Sequence, residues 1–165
     1  GYSLEELREA DRELLSPDAV KVISKTNRSA GKQETVFFIT PHYFLSIWPI
    51  YGCYLRKLDD IVAAFYSNEI PGINGYRQNL FIITRQDAQN KGRKNEYTGK
   101  QYGGFENGQL TDLKNCREIC DEALSEMAAR APHIITSQYI VVKGVKYNLL
   151  SMEDWQRDWA YILEE

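Results

Sequence analysis

The chain is poor in the residues that most often build reactive centres. Its 165 residues include two histidines, three cysteines and two methionines. His42 and His133 each follow a proline and stand in no ligand spacing with the cysteines, so neither a zinc site nor a catalytic triad is indicated. Cys116 and Cys120 fall one helical turn apart, where small buried thiols are commoner than a bridge, and Cys53 stands alone. So few cysteines, odd in number, point to a reducing compartment and to no structural metal. Long hydrophobic runs are missing too. The most apolar neighbourhood, Tyr43–Leu55, is broken by Ser46, Pro49 and Gly52 and falls short of the ~18 residues a membrane helix needs. The opening GYSLEELREA has no basic-then-apolar layout, so no secretory leader is expected and a cytoplasmic setting is. Repeats and low-complexity tracts are absent. A large excess of one charge is absent as well: the formal net charge is -3 and the pI about 5.5, which argues against a surface that is wholly a nucleic-acid footprint.

What is present is an ordinary globular composition rich in aromatics, with 43% hydrophobic and 26% charged residues, 11 Tyr and 3 Trp. Amphipathic rings are favoured at protein interfaces. The length suits one α+β domain over residues 1–165, with about four mainly antiparallel strands packed with four to five helices.

Residues 1–26 read as a helical segment. Ser3 and Glu6 have the spacing of a capping box, Tyr2 and Leu7 that of a hydrophobic staple, and Leu4, Leu7 and Leu14 form an apolar stripe. Ser16-Pro17 reads as the start of a second short helix to about Lys25, followed by a polar loop, Asn27–Gln33. ETVFFIT (Glu34–Thr40) reads as a strand, and HYFLSIW fits a strand or a helix start. From Cys53 to Tyr66 the apolar spacing is helical. Asn68–Gly75 reads as a loop and NLFIIT (Asn79–Thr84) as a strand. Arg85–Leu110 is a long polar loop, which in a compact domain points to function or mobility. Thr111 or Asp112 is placed to cap a helix to about Arg130. A hairpin is expected around Lys143-Gly144, and an aromatic helix over 151–165 capped by Ser151.

Three constellations carry candidate chemistry. Arg85, Lys91, Arg93, Lys94 and Lys100, with Tyr97 and Tyr102 among them, make a basic stretch with interleaved rings. It suits phosphates and stacked bases, or an acidic protein surface, and Asp87 and Glu96 interrupt its charge; a protein contact is favoured over nucleic acid. Trp155 and Trp159 share a helical face that docks the terminal helix or anchors a partner. The third is GGFENGQLTDLKNCREICDEA, Gly103–Ala123, where a turn leads into a helix bearing Glu118, Asp121 and Glu122.

That stretch resembles the box of the Nudix-type phosphohydrolases: a Gly, five residues, a Glu, seven residues, then Arg-Glu-apolar. Here Gly103, five residues, Gln109, seven residues, then Arg117-Glu118-Ile119 follow the same layout. The resemblance implies Mg2+ held by Glu118, Asp121 and Glu122 beside a diphosphate. Gln109 stands where the family has a glutamate, and Lys114 where it prefers a small residue. The same residues also make an amphipathic helix, with Leu113, Cys116, Cys120, Ala123, Leu124, Met127 and Ala131 as the apolar stripe and the acids opposite it.

The reading favoured from the sequence is a non-enzymatic assembly protein that binds neighbouring subunits in a homo-oligomer or larger complex. Its most concrete form is a bacteriophage neck or tail component, similar to a tail-terminator ring subunit and so found in the virion. No cofactor is implied. A divergent Mg2+-dependent phosphohydrolase and a nucleic-acid binder using residues 85–102 are the alternatives.

Overall fold

The computed structural model describes residues 1–23, 36–48, 52–72, 75–106 and 116–164. The chain is α+β, with mainly antiparallel pairing. Strands β1 (Val20–Ile23), β2 (Val36–Ile39), β3 (Tyr43–Trp48) and β4 (Gly52–Lys57) form a four-stranded antiparallel meander. After a 3-10 turn, Leu58–Asp60, the long strands β5 (Ile61–Gly72) and β6 (Gly75–Thr84) pair as a hairpin. Only the expected strand Glu34–Thr40 falls in this meander; Asn79–Thr84 belongs to a second sheet, in which β5 and β6 pair with the short edge strand β9 (Phe105–Glu106), so the one sheet of about four strands expected from sequence is replaced by several small ones.

The β5–β6 hairpin separates two cores because side chains alternate between the faces of a strand. Ala64, Leu80 and Ile82 face a core shared with the meander and with helix α3 (Cys116–Arg130). Ala63, Phe65, Phe81 and Ile83 face a second core, covered by helix α4 (Trp155–Leu163) and the hairpin of β10 (Tyr139–Val142) and β11 (Val145–Asn148). Phe65 and Phe81, paired across the two strands, stack at 5.6 Å. Because both faces are covered, Ile61–Phe65 and Leu80–Ile83 are apolar without a break. That continuity mimics helical spacing, and it corrects the helix read over Cys53–Tyr66: the residues are strand, turn and strand.

Other expectations are corrected in the same way. Ser16 begins a turn, its hydroxyl accepting from the Asp18 N–H at 3.2 Å, and the β-branched run Val20–Ile23 pairs with β2 instead of forming a helix. HYFLSIW resolves to a strand, β3. The described part of the expected loop Asn68–Gly75 is strand: Pro71 pairs with Tyr76 and Gly72 with Gly75 beyond a register shift between Ser67 and Ile70. Asn27–Gln33, Gln109, Leu113, Lys114 and the cap at Thr111 or Asp112 lie outside the described residues.

Helix α1 (Leu4–Leu14) has the expected capping box, with Ser3 and Glu6 bonded in both directions. Its leucine stripe does not enter a core: Leu4 is 63% and Leu7 45% exposed. Tyr2 instead meets Tyr43 edge-on, and its hydroxyl accepts from the Lys57 N–H at 2.7 Å and donates to Asp60 at 3.1 Å. Of the apolar stripe expected for α3, Cys116, Cys120, Ala123, Leu124, Met127 and Ala131 are buried, and Ile119 joins them. The expected turn at Lys143-Gly144 is also present, both residues at positive φ (49° and 81°), as a tight hairpin demands. Ser151 is not the cap of α4. It lies in a β-bridge, and Asp154 caps the helix by accepting from the Arg157 N–H.

Candidate binding pocket

From Arg85 to Glu106, the segment expected to be a long polar loop is built structure, and 107–110 lie outside the described residues. Thr84 and Asp87 form a second capping box that starts helix α2 (Arg85–Gln89). Strands β7 (Arg93–Lys94) and β8 (Gln101–Tyr102) then make a small antiparallel hairpin. Its tip is fixed by Asn95, whose side-chain oxygen accepts from the N–H groups of Tyr97 and Thr98 at 2.8 and 3.1 Å. Its stem is tied to the region before α4: Gln101 and Met152 exchange backbone bonds of 2.7 and 2.8 Å, and the Gln101 carboxamide accepts from the Trp155 N–H at 2.9 Å.

Two glycines bracket this hairpin and set how closely it lies on Trp155. A Cβ at Gly92 would stand 2.7 Å from Trp155 Cβ, and one at Gly103 would stand 3.0 Å from the far edge of the indole. Only hydrogen fits between backbone and ring at both ends. The indole is fully buried, and its N–H donates to the Asp87 carbonyl at 2.8 Å.

Held there, the hairpin walls an open pocket of about 310 Å³. The hairpin contributes Lys94, Glu96, Tyr97 and Tyr102. Opposite it stand Phe81 of β6, Glu106 of β9 and Glu69 of β5. Gln138, Asn148, Leu150 and Ser151 complete the lining from around the β10–β11 hairpin. Side chains inside this lining hold one another. Gln138, 9% exposed, donates from Nε2 to Glu69 at 2.7 Å and to Asn148 at 3.2 Å. Tyr139 also donates to Glu69, and that bond raises the tyrosine pKa above its ordinary value. The fully buried Asn79 donates to Glu106 at 2.8 Å.

The basic, aromatic stretch therefore divides. Lys94, Tyr97 and Tyr102 enter the pocket, with Tyr97 63% exposed. Arg93 lies over the Tyr102 ring at 5.1 Å. Lys100 faces a neighbouring cleft and pairs with Glu153 at 3.6 Å. Arg85 donates to the Asp59 carbonyl at 3.1 Å, away from the hairpin, and Lys91 is exposed in the turn before it. Folding thus disperses the basic patch seen in sequence. Trp155 and Trp159 are both 0% exposed and sit in the second core, which corrects the expectation of a partner anchor: their area is spent in docking α4.

Sequence reading missed Glu69, Glu106, Gln138 and Asn148. One signal was present. Asn79 opens the strand NLFIIT on the face that also carries Phe81 and Ile83, and a polar residue in an inward register calls for a buried partner.

The acids of α3 stand apart from this pocket. Glu118, Asp121 and Glu122 are exposed; Asp121 pairs with Arg117 at 3.1 Å, and the Arg117 guanidinium covers Tyr66 at 4.6 Å. Among the described residues, the side chains close enough to share a metal ion are Glu9, Glu13 and His42, with ligand atoms within 4.8 Å of one another. Glu13 is already engaged there, accepting from the Thr40 hydroxyl at 2.7 Å and from the His42 backbone at 2.9 Å, with the His42 ring 2.7 Å away. Burial pushes the Glu13 carboxyl up, but the bonds from His42 and Thr40 together outweigh it and hold the group below its ordinary range. The same contact raises His42. His133 meets the Ile61 carbonyl at 3.0 Å.

Among the described residues, no helix is long and apolar enough to cross a membrane. Compared with protein-family models and with curated proteins, the chain matches none.

Proposed function

We propose that this chain is a non-enzymatic binding module that receives neighbouring protein subunits, working in a homo-oligomer or a larger assembly. The observation that carries the reading is the pocket itself. Lys94, Tyr97 and Tyr102, marked by sequence as a contact surface, form a fixed wall of a concave site rather than a mobile loop. A preformed cleft with aromatic lining and a few fixed polar groups is the usual form of a recognition site.

The surroundings fit a protein partner better than a nucleic acid. The pocket lining carries three carboxylates, Glu69, Glu96 and Glu106, against one ammonium, Lys94. That balance repels phosphate. Beside it the β10–β11 hairpin exposes Tyr139 (58%), Val141 (63%) and Val145 (48%), an apolar strip of the kind found in interface centres. The phage neck or tail version of this reading rests on fold-level analogy.

Mass in solution, measured by light scattering for the chain alone and with the products of neighbouring genes, is the test. A defined oligomer or a stoichiometric complex is expected, weakened by Tyr97→Ala. A strict monomer that joins no such product overturns the reading. A retained oligonucleotide whose affinity falls steeply with salt would favour nucleic acid instead.

A further inference from the structure

We infer that the pocket between the β7–β8 hairpin and β6 takes a cationic side chain, an arginine on a partner segment. This deepens the binding-module reading and rests on it.

The pocket is complementary in charge to such a group. Three lining carboxylates against one ammonium leave a net charge of −2. The remaining polar lining is mixed, with the hydroxyls of Thr98, Tyr97, Tyr102 and Ser151 beside the amides of Asn95, Gln138 and Asn148. The Gln138 side chain is nine-tenths buried and donates from Nε2 to Glu69 and Asn148, while its carboxamide oxygen accepts from no described residue. Asn148 presents its side-chain oxygen in the same way, to Gln138 and to the Leu150 N–H at 3.0 Å. An excess of carboxylates calls for a cationic ligand rich in donors. Guanidinium has five N–H donors and no acceptor, in a plane that matches a carboxylate.

The walls agree. Tyr97 and Tyr102 present aromatic surface, and a guanidinium is stabilised over such rings. Tyr102 shows this within the chain, with the Arg93 guanidinium 5.1 Å from its centroid. Glu69 is held in place by Gln138 and Tyr139, so its charge is already oriented before a ligand arrives. Lys94 lines the pocket and forms no ion pair among the described residues, so it acts as a weak internal competitor that an incoming cation must outmatch.

The test is titration of the full chain with N-acetyl-arginine N-methylamide, followed by amide chemical shifts, with the citrulline analogue as a neutral isostere. Saturable arginine binding is expected, with shifts at Tyr97, Tyr102 and Gln138 and none from citrulline. Glu69→Gln, which keeps the acceptor geometry and removes the charge, should weaken binding about fivefold. Lys94→Met should strengthen it by a similar factor, and because a misfolded pocket would bind less tightly, a gain in affinity cannot come from misfolding. Equal binding of citrulline, no binding by the native chain, or weaker binding by Lys94→Met would each overturn the assignment. None of these outcomes bears on the mass in solution, so failure here stays distinct from failure of the assembly reading.

Discussion

The Trp155 indole N–H donates to the carbonyl of Asp87 at 2.8 Å, joining the first turn of α4 to the short helix α2 across the second core. Asp87 is itself occupied in capping α2, with its carboxylate accepting from the Thr84 N–H at 3.0 Å. The pocket hairpin leaves α2 and returns across the same indole. One residue of α4 therefore fixes the platform on which Lys94, Tyr97 and Tyr102 are carried.

Trp155→Ala should cost about 3–5 kcal/mol, because a fully buried ring is removed from a packed site. Trp155→Phe keeps an aromatic ring and loses the N–H, leaving the Asp87 carbonyl unpaired, at about 1–3 kcal/mol. Urea unfolding of the two variants gives the values. Equal stability of Trp155→Phe and the native chain would show that the carbonyl finds another partner.

Gly92→Ala tests the close approach of the hairpin to that ring. The new methyl would meet Trp155 Cβ and Cγ at 2.7 and 2.9 Å, atoms that cannot swing aside as the tip of a flexible side chain can. Overpacking of this kind costs about 1–3 kcal/mol. The hairpin should also move off the ring, so chemical shifts at Tyr97 and Tyr102 should change along with a lower melting midpoint.

The contact between Glu13 and His42 predicts a pH dependence. His42 is raised above its ordinary 6.5 by the Glu13 hydrogen bond. Its contribution is therefore fully present below that value and is lost as pH rises through the raised folded-state value. Glu13 is lowered below its ordinary 4.5, so its contribution is present above that value and is lost as pH falls through the lowered one. The pair is thus most stabilising between about pH 4.5 and 6.5. The His42 side chain is 67% exposed, so the effect is that of a surface pair, about 0.2–1 kcal/mol. Melting midpoints of His42→Gln should fall less than those of the native chain between about pH 6 and pH 8.5. Parallel curves for the two proteins would contradict this.

Thiol labelling separates the three cysteines by access. Cys53 is exposed, whereas Cys116 and Cys120 are buried on the inner face of α3. The contact with Cys116, together with burial, pushes the Cys120 thiol far up, away from the reactive thiolate. A disulfide reagent should modify Cys53 in the native chain and the other two only as the protein unfolds. Cys53→Ser should therefore abolish native-state labelling. Rapid native labelling of Cys120 would show that α3 opens readily from the core.

Sequence was most informative where one local rule acted alone. The Ser3–Glu6 capping box, the Lys143-Gly144 turn, the apolar stripe of α3 and the strand of Asn79–Thr84 each follow from neighbours in the chain. It misled where tertiary burial changed the pattern. The run from Ile61 to Phe65 is apolar on both faces because cores lie on both sides of β5, and no periodicity survives to mark it as a strand. Pro71 and Gly72 suggested a loop, yet they close the end of a hairpin.

The site divides along the same line. The sequence by itself determined that Lys94, Tyr97 and Tyr102 lie in a polar segment, because composition and ring content are local properties. Only the tertiary structure decided the charge of their surroundings. Glu69, Gln138 and Asn148 arrive from segments far along the chain, and the carboxylates gathered there turn a stretch that reads as basic into an acidic pocket. Electrostatic character belongs to the groups that share a space, and one stretch of sequence contains only some of them.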